Sequence, residues 1–144
     1  AFLVIGRGLV RKPGAGTLLG LVSGLLAVIA VGGHEGPLLW VKYLAPGAVM
    51  DVVAYVSGER LDSPVIAFLA GALGNIAKLS ASLIISVLLG IPAGYLAVGL
   101  GLAATTHVVF GAIGGWLGAI VLGGLKRLRV PGVEVLRGPE RDDA

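Results

Sequence analysis

Apolar residues run along this chain in long blocks, and the polar residues fall almost entirely between them. Four blocks stand out, at about residues 14–31, 37–57, 64–89 and 93–125. Each approaches or exceeds the roughly 20 residues that a helix needs to cross a bilayer. From Leu79 to Leu125 the ionisable side chains are Tyr95 and His107, so this stretch has no polar face to turn towards water. A buried hairpin of a soluble protein does not fit it. A shorter apolar segment, Ala1–Val10, precedes the blocks and ends among Arg7, Arg11 and Lys12. It lacks the charged start and polar cleavage region of a signal peptide and reads as the tail of a helix that starts upstream.

The punctuation between blocks supports helices. Pro13 suits a first helical turn, and Gly32 and Gly33 suit an end. Asp62 and Ser63 are capping candidates before Pro64, and Gly90 is a stop signal. Pro46 is expected to break or kink the second block, leaving Ala45–Ser57 as its spanning part and Leu38–Tyr43 in the interface. Short loops make consecutive helices antiparallel neighbours. The expected fold is therefore all-α: a polytopic transmembrane helix bundle over residues 1–129, with residues 130–144 as a flexible cytoplasmic tail.

Composition agrees. Hydrophobic residues make up 56% of the chain and charged residues 13%, about half the share usual in a soluble domain. With no cysteine, disulfides and thiolate metal sites are excluded. Charge position then gives orientation. Arg7, Arg11 and Lys12 precede the first full span, and Lys126, Arg127 and Arg129 follow the last. Four spans between them put both clusters on one side, the cytoplasmic side of a cell membrane by the positive-inside rule.

Glycine, present 25 times, is placed for packing. Gly16, Gly20 and Gly24 form one small-residue ridge. Gly99, Ala103, His107, Gly111 and Gly115 form a second, and Ala67, Gly71, Asn75, Lys78 and Ser82 a third. Such ridges let helices approach closely in lipid, either within one bundle or against a partner subunit.

Polar residues inside the spans carry the functional expectation, because a charge at membrane depth is costly and faces a partner or a water-filled site. Counting about 1.5 Å per residue from the inner ends, Asp51 lies roughly 10 Å deep, Lys78 roughly 20 Å and His107 roughly 27 Å. Asp51 and Lys78 form a candidate ion pair between the second and third spans. Asn75 is a candidate for an interhelical hydrogen bond, and His107 for one to a backbone carbonyl or a threonine. The alternative is a polar pocket in the outer half of the membrane, roofed by His34 and Glu35 with Trp40 and Tyr43, although a belt of interfacial aromatics explains the last two equally well. No ligand spacing supports a metal site from His34, Glu35 and His107. Walker, zinc-protease and Ser-His-Asp patterns are absent, so neither an enzyme nor a bound cofactor is expected. Topology accounts for the basic residues without nucleic acid.

The segment Leu9–Ile29, LVRKPGAGTLLGLVSGLLAVI, resembles the substrate-binding S components of energy-coupling-factor (ECF) transporters, which carry a basic turn, a Pro-Gly-Ala-Gly/Ala-Thr motif and a glycine-rich helix. The following GGHEGPLLWVKYLAPGAVMDVVAY is similar to the external loop and fourth span of the branch linked to hydroxymethylpyrimidine and thiamine precursors. The resemblance implies six helices in the complete protein, the four spans here being the third to sixth. It implies a site for a vitamin-like small molecule near the outer face, with contacts at the positions of His34, Glu35, Trp40, Asn75, Lys78 and His107. The implied partners are a transmembrane coupling subunit and two cytosolic ATPases of an ABC importer. The family's first helix, which docks on the coupling subunit through spaced alanines, would lie upstream of Ala1. The reading from a different class is a non-catalytic accessory subunit of a larger membrane complex.

Overall fold

The computed structural model describes residues 1–31 and 38–128. The loop with His34 and Glu35, the expected Gly32–Gly33 stop and the tail 130–144 lie outside the described residues. Those described form five α-helices and no strand: α1 (Phe2–Leu9), α2 (Ala15–Val31), α3 (Leu39–Val56), α4 (Pro64–Leu88) and α5 (Ala93–Arg127). Two segments are long and apolar enough to cross a membrane, α4 and residues 99–127 of α5. The apolar stretch Ala15–Ala30 of α2 is shorter.

Helices α2, α3, α4 and α5 pack in chain order, each on the next, and α1 lies against α5, α2 and α3. The core mixes alanines with a few large side chains, Val4, Met50, Leu61, Ile85 and Leu122, and many large apolar residues lie outside it. Ala54, Ala67, Ala70, Ala112 and Ala119 are buried, whereas Leu26, Ile29, Val65, Leu88, Leu102 and Phe110 are exposed. So many exposed large apolar residues agree with a bundle whose outer surface meets lipid.

Glycine backbones make those contacts. A side chain on Gly16 would come within 2.7 Å of the Gly47 carbonyl oxygen, and one on Gly24 within 2.8 Å of the Trp40 Cα. Gly20 packs on the Tyr43 carbonyl, so the first ridge faces α3 along its whole length. Gly71 packs on Gly111, and Gly115 on Ala67, which joins the other two ridges across α4 and α5. The second ridge ends there: Gly99 faces open space and Ala103 is half-buried, so this part of α5 packs on no neighbour through its glycine.

Three local expectations are corrected. Helix α3 runs through Pro46 without a break. Pro46 packs against Gly74 of α4, and such tertiary contacts override the low helix preference of proline. Ser63 does occupy the cap position of α4, but its side chain makes no capping bond. Asp62 turns instead to Lys126 at the end of α5, 2.8 Å away. The Gly90 stop is as expected, with φ +79° and two bonds, from Gly90 N–H to the Val87 carbonyl and from Ile91 N–H to the Ser86 carbonyl. This is the paired closure of a Schellman motif.

The end of α3 repeats that closure: Gly58 N–H donates to the Tyr55 carbonyl and Glu59 N–H to the Ala54 carbonyl. Here both Gly58 (φ 64°) and Glu59 (φ 63°) are left-handed. For glutamate that conformation costs about 1–2 kcal/mol. The turn aims the Glu59 carboxylate back at the bundle, where it meets Arg7.

Candidate functional site

Two polar centres occupy the bundle. The first ties α1, α2 and α3 together. Arg7 is buried, only 1% exposed, and donates from Nε to Asp51 Oδ1 at 2.7 Å. Its two terminal nitrogens donate to the two oxygens of Glu59 at 2.7 and 2.6 Å. The planar guanidinium fork matches a carboxylate in this bidentate way, which lysine cannot do.

Asp51 is saturated. Oδ1 also accepts the Gly16 N–H at 3.0 Å, and Oδ2 accepts the Thr17 N–H and the Thr17 hydroxyl, each at 2.7 Å. Gly16 and Thr17 belong to the first turn of α2, whose N–H groups have no partner within their own helix. A carboxylate on α3 therefore caps α2, and its negative charge suits that helix end.

The expected Asp51–Lys78 ion pair is not formed. Arg7 takes the place of Lys78, because it reaches the same level of the bundle as Asp51. The sequence places Arg7 in the basic flank of the first full span. The usable signal is that Arg7, unlike Arg11 and Lys12, stands about one helical turn inside its apolar segment.

The second centre is a hollow of about 290 Å³ between α2, α3, α4 and α5, closed on one side by Ala1–Val4, the first residues of the sequence. Lys78 and Asn75 of α4 line it, with Ser23 of α2, Tyr43 and Met50 of α3 and Phe110 of α5. The Lys78 ammonium stands 4.8 Å from the centre of the Tyr43 ring, within cation–π range. Asn75 Nδ2 donates to the His107 carbonyl at 2.9 Å, the interhelical hydrogen bond considered for it, while Asn75 also faces the cavity. The Ser23 hydroxyl donates to the Leu19 carbonyl of its own helix.

The cavity brings together Asn75 and Lys78 from the expected set and leaves two others aside. His107 does not line it: Nδ1 lies 2.9 Å from the Ala103 carbonyl one turn earlier, a contact that requires the proton on Nδ1. Its contribution is the backbone oxygen that fixes Asn75. Trp40 packs against Gly24 of α2 and also stays out of the lining. His34 and Glu35 lie outside the described residues, among which no three histidines or acids are grouped to hold a metal ion. The participation of Ser23, Met50 and Phe110 was not visible in the sequence, where they read as ordinary span residues. No family profile, curated protein or solved structure matches the chain.

Proposed function

We propose that the chain is a multi-pass membrane protein that binds a small molecule between its helices, as the substrate-binding subunit of an ECF-type importer for a vitamin or vitamin precursor. Helices α2 to α5 would be four full spans, with both basic clusters on the cytoplasmic side and α1 the end of a further helix. The observation that supports the reading is the meeting of Lys78, Tyr43 and Asn75 on facing walls between the helices. A largely apolar hollow with a few converging polar groups is the usual form of a small-molecule site. The Pro13–Thr17 motif supports the choice of family, whose coupling subunit and two ATPases would be the partners. The role is binding without catalysis.

Equilibrium binding of a vitamin and vitamin-precursor panel to the detergent-solubilised protein tests this. Saturable binding of one member, weakened by Asn75→Ala, is the expected result. A complete panel without saturable binding refutes it.

The exposed first half of α5 favours a second reading, an accessory subunit of a larger membrane complex. Gly94, Gly99 and Gly101 face open space there, a small-residue surface of the kind that helices use to associate. It predicts co-purification with a large partner from native membranes, and a solubilised protein that runs as a lone monomer removes it.

A further inference from the structure

The charged turns of this chain meet at one end of the bundle. Arg7 of α1 bonds Glu59 after α3, and Lys126 in the last turn of α5 bonds Asp62 before α4 at 2.8 Å. The α1–α2 turn, the α3–α4 turn and the end of α5 therefore lie together, and they carry Arg11, Lys12, Arg60, Lys126 and Arg127. At the opposite end the turn 89–92, between α4 and α5, carries no charged residue.

Within the charged end one place is organised. Asp62 accepts the hydrogen bond of Lys126, and its carboxylate also feels the charge of Arg11. Arg11 and Lys126 are half-buried and so held at the bundle, whereas Lys12, Arg60 and Arg127 are exposed. Two cations sharing one carboxylate leave one net positive charge at this spot. Apolar surface continues from it towards the middle of the bundle. Val65 and Leu69 follow Asp62 at helical spacing on the first turns of α4 and are 69% and 52% exposed.

We infer that Arg11 and Lys126 bind the phosphate of an anionic phospholipid whose acyl chains lie along Val65 and Leu69. The inference rests on the membrane reading of the bundle and is independent of the small-molecule site. A phosphodiester carries one negative charge, which matches the excess, and the Arg11 guanidinium can meet two of its oxygens at once. A zwitterionic headgroup brings its own ammonium or choline, which stands among these bases and cancels the gain. Basic residues beside a membrane span attract anionic lipid in this way.

The test is native mass spectrometry of the full chain in neutral detergent, titrated with phosphatidylglycerol and with phosphatidylcholine of the same acyl chains. Phosphatidylglycerol should bind about tenfold or more tightly, since each basic residue near the surface contributes about fivefold. Arg11→Gln with Lys126→Gln should abolish that preference. Lys12→Gln with Arg127→Gln removes the same charge from exposed positions and should keep most of it, because exposed charges are screened. Asp62→Asn should tighten phosphatidylglycerol binding, a direction that a poorly folded variant does not mimic. Glycerol phosphate at millimolar concentration should leave the lipid bound, because it has no acyl chains to contact Val65 and Leu69.

Equal affinity for the two lipids overturns the inference. Equal losses in the two double variants overturn the site and make the attraction a diffuse property of the charged end. Weaker binding in Asp62→Asn overturns the shared carboxylate. Displacement by glycerol phosphate makes a soluble phosphate the ligand and overturns the lipid. If neither lipid binds, the membrane reading falls with the inference.

Discussion

Replacing Asp51 by alanine would remove four hydrogen bonds at once: from Arg7 Nε, from the Gly16 and Thr17 N–H groups and from the Thr17 hydroxyl. Breaking a buried ion pair from one side costs about 3–5 kcal/mol, because the partner charge is left without compensation. Arg7 keeps its bidentate bond to Glu59, and Glu59 is 33% exposed, which moves the figure to the lower end. Loss of the cap on α2 adds about 1 kcal/mol. Asp51→Ala should therefore destabilise the bundle by about 3–4 kcal/mol. The assay is reversible unfolding in mixed micelles by titration with dodecyl sulfate, followed by circular dichroism, on ligand-free protein. Single variants Asp51→Ala, Arg7→Met and Lys78→Met and the two doubles that contain Asp51→Ala complete two double-mutant cycles. The coupling of Asp51 with Arg7 should be about 1.5–3 kcal/mol, the range for a charge-assisted bond. Coupling of Asp51 with Lys78 should stay below about 0.5 kcal/mol, as for groups that share no partner. A Lys78 coupling equal to or above that of Arg7 would refute the pairing described here and restore the simpler ion pair.

Other outcomes follow from the packing and the surface charges. Gly115→Ala would press a methyl group into the Ala67 carbonyl and should destabilise by about 1–3 kcal/mol, while Gly99→Ala, facing open space, should be neutral or stabilise by up to about 1 kcal/mol; the same titration compares them. The hydrogen bond and charge of Lys126 hold the Asp62 carboxyl below the usual carboxylate range. Because the folded value lies below the unfolded one of about 3.9, that contribution is present above pH 4 or so and is lost as pH falls through the folded value. Wild type should exceed Asp62→Asn by less than about 1 kcal/mol at pH 7, since the pair is exposed, and the gap should close in acid; stability measured across pH 2–7 checks this. Glu59→Gly relieves the left-handed backbone but removes both oxygens from Arg7. A net loss of stability shows that the ion pair outweighs the strain, and a net gain shows the reverse.

The helices were legible because long apolar blocks bounded by glycine and proline favour helices over strands. Their ends were legible where a glycine is required in left-handed conformation, as at Gly90. The glycine ridge of α2 was legible for the same kind of reason, since spacing of four puts small residues on one helix face. Asn75 and Lys78 were legible as polar residues at depth.

What tertiary structure alone decided was partnership. The sequence places Asp51, Lys78 and Arg7 at approximate heights, but a charge pairs by lateral position as well, and that depends on how α1 is seated against α2, α3 and α5. The left-handed Glu59 then completes the Arg7 fork from a loop that reads as nearly neutral. The same seating separates His107 from Lys78, although both stand on small-residue ridges: those ridges meet each other across α4 and α5, so His107 gives its carbonyl to Asn75 while its ring stays on its own helix. It also sets Lys78 of α4 over the ring of Tyr43 of α3. The spacing of small residues determines which faces turn inward. Which inward faces touch is set by interlocking backbones, and no single segment contains that information.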